Sequence, residues 1–552
     1  MRANKKSKAF KRKLKTAYFS AVNIDQVKDV TIGDELRSVA SEFPELLALV
    51  EITDNGSIGR SWTYQTLLND SLQLAEVLSN KHKKGTRVAV WAPNYPEWVI
   101  LELAVALSGL VLVTANPSFQ AEELEYVLKK SQSKELFVAT SYRGNPMWKI
   151  AETVASNLST VQGLNDIRKL KKYINKNKAQ VVRLNKPLPK VLPNDPVQIQ
   201  FTSGTTGFPK GAKLHHMGLL NNAMSFQKRM GMEMGDRWLN CMPMFHCSGA
   251  AMAALGCLTL RATHFIMEKF EAKNWCEIVK SCEITYLQAV PTMFVEILSE
   301  WKKGNYKTSK IKGMSTGGSS VPPSLVQEIN KVFGVRVQIV YGQTEASPVI
   351  SLAWSDDTFD NITRSVGQPL PNIDVAIKDP INREIKNCGE IGEICSRGYN
   401  TMLEYHQNPE ATNEAIDDEN WLHTGDLGVM DENGYLAVKG RVKEMIIRGG
   451  ENIYPREIEN YLLQHEDISE VAIVGIPDEK YGEIVGCFLK FKIGKSIDSL
   501  ELKQYIRGKI SPQKTPSFWV QITEWPLTGS GKIKKHLLRE QYISGLLKAM
   551  PR

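Results

Sequence analysis

Pro196-Val197-Gln198-Ile199-Gln200-Phe201 runs directly into Thr202-Ser203-Gly204-Thr205-Thr206-Gly207-Phe208-Pro209-Lys210-Gly211. The first six residues alternate in polarity and carry β-branched side chains, the pattern of a strand. Gly204, Gly207 and Gly211 then let the backbone turn so that successive N–H groups converge, and four hydroxyls and Lys210 surround them. The combination reads as a phosphate cradle at the end of a strand. It differs from a Walker A loop, which needs four residues between its glycines and a Gly-Lys-Ser/Thr ending, because two residues separate Gly204 from Gly207. Taken alone, the stretch is also compatible with a Ser/Thr/Gly loop that holds no ligand.

Outward from this stretch, apolar periods of helical and strand length alternate. Residues 64–78, 98–107 and 121–130 are expected to be helices, and 87–91, 110–113 and 136–139 strands. That alternation predicts parallel βαβ units, in which ligands sit at the carboxyl ends of the strands. Residues 167–195 are polar, basic and rich in Asn and Pro, and read as a surface connection. Beyond the cradle come a partly helical stretch at 214–229, an apolar region at 250–260 and strands at 284–290 and 335–340, the last leading into Tyr341-Gly342-Gln343-Thr344-Glu345. From Asn372 to about residue 440 shorter strands with Gly/Pro/Asp turns predict an antiparallel subdomain. Helices at 455–464 and 500–509 and strands at 471–476, 484–491 and 519–522 are enough for a small α+β domain. The fold class expected is therefore α/β, with doubly wound sheets, an antiparallel β subdomain and a small C-terminal domain.

The bulk properties exclude several classes. The chain has 552 residues, 42% hydrophobic and 23% charged, which is ordinary composition for a protein with a large core. Its eight cysteines include no Cys-x-x-Cys and its nine histidines no His-Glu-x-x-His, so neither a disulfide framework nor a zinc site is expected, and a reducing, cytoplasmic compartment fits. The net charge of +9 is concentrated: residues 1–20 carry eight Lys/Arg and residues 167–190 carry nine, with no acid in either run. The remainder carries −8, which excludes a nucleic-acid-binding face spread over the body. Each run reads as a solvated tail or linker, with peripheral contact to an anionic membrane surface as the alternative. No apolar stretch of signal-peptide length follows the first six residues, and the most apolar segment, 98–115, is interrupted by Glu102 and Ser108-Gly109. A buried helix followed by a strand is expected there, and no transmembrane segment.

Six further motifs follow in order: Gly317-Gly318-Ser319-Ser320, the turn of residues 341–345, Thr424-Gly425-Asp426, Gly440-Arg441-Val442-Lys443-Glu444, Arg448-Gly449-Gly450-Glu451-Asn452 and Thr528-Gly529-Ser530-Gly531-Lys532. Together with 202–211 they resemble the adenylate-forming superfamily of acyl-CoA synthetases, luciferases and peptide-synthetase adenylation domains. The resemblance runs from about residue 35 to 545 and is greatest to medium-chain fatty acyl-CoA synthetases. It implies activation of a small-molecule carboxylic acid with ATP and Mg2+, release of pyrophosphate, and transfer of the acyl group to CoA with release of AMP. It also implies a basic tail at 1–34, a large adenylation domain at 35–441 and a mobile lid at 442–552, hinged near Lys443.

By the same resemblance Thr202, Ser203, Gly204, Thr205, Thr206, Gly207, Phe208, Pro209 and Lys210 would wrap the β- and γ-phosphates, and Thr344 would reach the α-phosphate. Glu345 would bind the metal, since Mg2+ prefers carboxylate and water oxygens. Tyr341, with Gly342 and Gln343 after it, would offer an aromatic face to adenine, while Gly318, Ser319 and Ser320 pass beneath the base. Asp426 and Arg441 would hold the ribose hydroxyls. Lys532 would neutralise charge growing between the carboxylate and the α-phosphate, and Gly449 and Gly450 would line a pantetheine tunnel. His246 would lie beside the substrate carboxylate, although a lone histidine in an apolar run also fits a core position. Met242, Met244, Cys247, Ala250, Val290 and Pro291 are apolar and suit an uncharged acyl tail. Alternatives from the same motifs are an acyl-adenylating enzyme that loads a carrier protein in trans and a CoA ligase for an aromatic acid. A non-catalytic nucleotide-binding module would predict damaged motifs, and Lys532, Glu345, Asp426 and Arg441 are all present.

Overall fold

The computed structural model describes residues 8–184, 186–202, 209–304, 306, 310–449, 451–507, 509–527 and 533–551. Three sheets form the body. In the first, Gly163–Asp166, Glu135–Val138, Arg87–Trp91, Val111–Ala115 and Pro196–Thr202 run parallel, and Lys210–His215 and Glu404–Tyr405 add antiparallel edges. In the second, Leu47–Ile52, Thr263–Met267, Arg237–Asn240, Tyr286–Gln288, Gly313–Gly317 and Val337–Gly342 are parallel, with antiparallel strands at both edges. The third is antiparallel, in the order Tyr18–Phe19, Ile373–Lys378, Gly392–Gly398, Leu422–Met430, Leu436–Arg441. The α/β body and its antiparallel subdomain match what the alternation of periods predicts.

Local sequence explains the elements that carry the core. The helix Pro96–Ser108 begins with Pro in its first turn, ends on Gly109 in the left-handed conformation at φ 64°, and buries all its residues. It is apolar all round because it lies between layers, the reading given to 98–115; among the described residues no helix is long and apolar enough to cross a membrane. The helix Ile32–Glu42 starts from a capping box of Thr31 and Asp34. One core joins the two parallel sheets through the helices between them, and a second fills the far face of the larger sheet around Trp275, Phe294, Trp301 and Phe333.

Two readings of basic segments are corrected. Residues 167–195 are not simply a surface connection, since the helix Leu170–Leu184 occupies half of them. Leu170 and Ile174 are buried at a spacing of one turn, and Tyr173 packs edge-on to Phe137 with ring centroids 5.3 Å apart, so a stripe diluted by Lys and Asn still docks. Nor is the N-terminal run wholly a solvated tail. Ala17 and Phe19 are fully buried, Tyr18 and Phe19 pair with Ala376 and Val375, and Arg12 lies 5.0 Å over the Phe19 ring.

The C-terminal segment is its own layer structure. Ile468–Asp478 and Gly482–Phe491 form a long antiparallel pair, flanked by Ile446–Arg448 with Glu451–Ile453 and by Phe518–Gln521. The helices Pro455–Leu462 and Ser499–Ile506 cover one face, and Lys535–Ile543 the other, over separate apolar clusters.

Candidate active site

Strands of both parallel sheets end near one another, and their last residues build two adjoining clusters. The first lies at the mouth of the cradle. Thr202, the last residue of its strand, stands opposite Lys210 across the hairpin, and its hydroxyl lies 3.3 Å from the Lys210 carbonyl and 3.4 Å from Glu345 Oε1. Glu345 is buried in the short turn Thr344–Ala346, which is held by the Asn400 side-chain amide on Ala346 O and by the Met402 N–H on Glu345 O. The Tyr405 hydroxyl donates to Glu345 Oε1 at 2.6 Å, and Lys210 Nζ sits 5.0 Å above the Tyr405 ring. Burial, and then the Glu345 carboxylate, push the Tyr405 hydroxyl well above the ordinary phenol range, so it stays a donor.

The second cluster begins four residues earlier in the same turn. Tyr341 is buried and donates its hydroxyl to Asp426 Oδ2 at 2.9 Å, while Arg441 Nε meets Asp426 Oδ1 at 2.8 Å. Asp426 and Arg441 are register partners on adjacent antiparallel strands, so the pairing follows from the sheet. Burial works against the Arg441 charge, but Asp426, Glu444, Tyr341 and Glu345 outweigh it and raise its pKa, which puts Arg441 in the field of both clusters. Gly342 joins them where no side chain fits: a Cβ there would lie 2.0 Å from the Pro348 carbonyl oxygen.

Gly317 packs so closely on the neighbouring strand that a Cβ would lie 2.2 Å from Val340 O, and Gly318, Ser319 and Ser320 follow as an exposed bend, with Gly318 at φ 79°. Gln343 bonds back to Pro348 O through its N–H at 2.8 Å. His246 is exposed immediately before the π-helix Ser248–Leu255, its Nδ1 accepting the Ser248 N–H at 3.2 Å. Its neighbour Cys247 points inward, donating to Gln200 Oε1 at 3.0 Å, and burial together with the Glu345 charge pushes the thiol up. Gln200 Nε2 in turn donates to Gln198 Oε1 at 2.8 Å, and Gln198 Nε2 to the buried Glu102 at 2.5 Å. Met244 and Ala250 are fully buried. Gly449 lies in the C-terminal layer, its N–H bonded to Tyr481 O. Ser203, Gly204, Thr205, Thr206, Gly207, Phe208, Gly450 and Lys532 lie outside the described residues.

The structure adds residues to which the motifs assign no role. Tyr405 arrives because Glu404–Tyr405 extends the first sheet beside Lys210–His215. Thr424 donates to Ile394 O at 2.6 Å and accepts the Asp426 N–H at 3.1 Å. Arg456, on the helix Pro455–Leu462, lies within electrostatic range of Asp426, and burial lowers its pKa. The cysteines are all free.

Buried carboxylates, hydroxyls and cations gathered where strands of three sheets meet suit a polyanionic nucleotide. The AMP-binding enzyme family matches residues 36–406, and the AMP-binding enzyme C-terminal domain matches residues 457–532. A putative acyl-CoA synthetase of Bacillus subtilis, YngI, is 36% identical over 537 residues, spanning 93% of this chain and 97% of its own. The mitochondrial medium-chain acyl-CoA ligase ACSF2 of Homo sapiens is 33% identical over 558 residues, spanning 95% of this chain and 89% of its own. The o-succinylbenzoate CoA synthetase of Bacillus subtilis, solved with its acyl-adenylate intermediate, is similar at a TM-score of 0.78 and 26% identity, covering 93% of this chain and 98% of that one. With both family segments matched and relatives aligned along nearly its whole length, this chain belongs to the adenylate-forming family of AMP-binding enzymes.

Proposed function

We propose that the chain is an AMP-forming acyl-CoA synthetase for an apolar, medium-length carboxylic acid. A carboxylate oxygen attacks the α-phosphorus of ATP and expels pyrophosphate; the CoA thiol then attacks the acyl carbon and expels AMP. The observation that carries this reading is the adjacency of the Glu345–Tyr405–Thr202–Lys210 cluster to the Tyr341–Asp426–Arg441 cluster. Among the described residues neither cluster contains a Ser-His-Asp or Cys-His arrangement, which suits chemistry done by positioning and charge neutralisation.

In this reading Asp426 and Arg441 take the ribose hydroxyls, Tyr341 and the bend of Gly318, Ser319 and Ser320 take the adenine, and Thr344, Lys210 and the loop 202–209 take the phosphates. Glu345 is the metal ligand. Its oxygen surroundings, one buried carboxylate with the Thr202 and Tyr405 hydroxyls, fit Mg2+, which keeps waters and binds phosphate oxygens besides one or two carboxylates. When bound, such an ion would supply positive charge that offsets the charge of the phosphates. His246 and the buried Met244, Cys247 and Ala250 receive the acid. Lys532 and the Gly449-Gly450 turn alternate at the site as the lid, residues 442–552, moves relative to 35–441. The free thiols favour a reducing, cytoplasmic setting.

Pyrophosphate release across a panel of aliphatic and aromatic acids, with and without CoA, tests the reading. Acid-dependent release is expected in both conditions, greatest for medium-length aliphatic acids, with AMP and thioester formed only when CoA is present. Formation of ADP and phosphate, or release indifferent to the acid, would overturn it.

A further inference from the structure

Asp426 is aimed by a network that the resemblance does not assign. Glu393, in the strand Gly392–Gly398, is buried, and its two oxygens face different groups: Oε1 accepts the Gly425 N–H at 2.8 Å, and Oε2 faces His423 Nδ1 at 2.9 Å. A register shift between Glu393 and Cys395 allows this, since Cys395 stands opposite His423 while Glu393 stands opposite Leu427. His423 Nε2 faces Asp417 Oδ2 at 3.0 Å. Asp417 is itself fixed: its Oδ1 accepts the Trp421 N–H at 2.8 Å and the Glu419 N–H at 3.0 Å, and Lys378 Nζ lies 3.5 Å from its Oδ2. Both imidazole nitrogens therefore face carboxylates. A neutral ring has one N–H and would set a lone pair against one of them, whereas the imidazolium donates to both. The hydrogen bond to Glu393 raises the His423 pKa despite burial, with Asp417 adding to it. The remaining titratable neighbour, Cys395, has its Sγ 3.4 Å from Nδ1, and burial keeps it a thiol.

We infer that Glu393, His423 and Asp417 form a positioning chain for nucleotide binding: protonated His423 holds Glu393, Glu393 holds the Gly425 N–H, and the turn so fixed aims Asp426 at the ribose. The inference rests on the proposed ribose role of Asp426. Gly425 sits at φ 70°, in the left-handed region, and Thr424 ties the same turn to Ile394 O through a neutral hydroxyl, so of these two ties the Glu393 contact is the one that depends on the charge of the imidazole. As pH rises through the raised His423 pKa, the imidazolium is lost, the grip on Glu393 slackens, and ATP binds less tightly.

The test measures ATP dissociation constants by calorimetry from pH 6 to pH 9 for the wild type, H423Q, E393Q and D426A, together with thermal melting. Ratios to the wild type cancel the nucleotide's own titration. H423Q and E393Q should bind ATP about tenfold more weakly at pH 6, the worth of one charge-assisted contact, and approach the wild type as pH rises. The KM for ATP should rise with kcat and the KM for the acid little changed. D426A should bind weakly at every pH. If H423Q and E393Q match the wild type, or differ from it by a pH-independent factor, while D426A is impaired, the positioning chain is wrong and the ribose reading stands. If D426A binds ATP normally, the ribose reading itself falls. Should one imidazole or carboxylate variant fail to fold, the other carries the same comparison.

Discussion

Asp426 already accepts the Tyr341 hydroxyl and pairs with Arg441 within the protein, so its oxygens are oriented by partners that themselves come from motifs. That is why Tyr341, Glu345, Asp426 and Arg441 were legible: each stands beside a glycine or turn signature whose order along the chain is specific. Tyr405 was not legible, because its contact with Glu345 depends on a strand pairing with no local sign. Glu102 was visible only as an interruption in an apolar run. Its meaning is three-dimensional: Gln198 donates to one oxygen, and burial pushes its carboxyl up to about 8. The sign of the consequence is fixed. The folded state keeps the proton that the unfolded chain releases above its ordinary value of 4.5, so the group's contribution falls as pH rises from there to about 8. Glu102→Gln should therefore flatten the stability profile, removing at most about 1.4 kcal/mol per pH unit across that window, and leave the variant more stable than the wild type at pH 8. Urea midpoints at pH 5 and pH 8 check this; parallel profiles would count against it.

At the scale of elements, periods of two and 3.6 were enough for the parallel strands and their helices, because long buried segments repeat the signal. The failures were short or diluted segments. The strand Tyr18–Phe19 has two residues, and no window of pattern reading can weigh it against eight nearby cations. It exists because the antiparallel sheet has an open edge and Gly434 leaves room for Phe19: a Cβ on that glycine would lie 2.4 Å from the ring. Phe19→Ala should destabilise the body by about 3–5 kcal/mol, as buried Phe truncations do. Chemical denaturation followed by tryptophan fluorescence measures it, and a loss near zero would mean that this segment is not part of the cooperative core. The π-helix Ser248–Leu255 was equally hidden, since a run dominated by Gly and Ala reads alike in any helix.

At the scale of the molecule, the body and the C-terminal segment are legible as separate patterns because each has its own apolar clusters. The division of labour proposed between them is tested by chemistry. Lys532→Ala should slow adenylation a hundredfold or more, about 3–4 kcal/mol, while synthetic acyl-adenylate and CoA still yield thioester near the wild-type rate. Equal failure in both half-reactions, followed separately by pyrophosphate and thioester assays, would refute that division of labour. The central claim is that the acid and CoA are joined through an acyl-adenylate. Turnover of a carboxylic acid labelled with 18O in both carboxylate oxygens tests it most directly, read by mass spectrometry of the products. The account predicts one labelled oxygen in each AMP released and one retained in the thioester; label in inorganic phosphate or pyrophosphate, with AMP unlabelled, would contradict it.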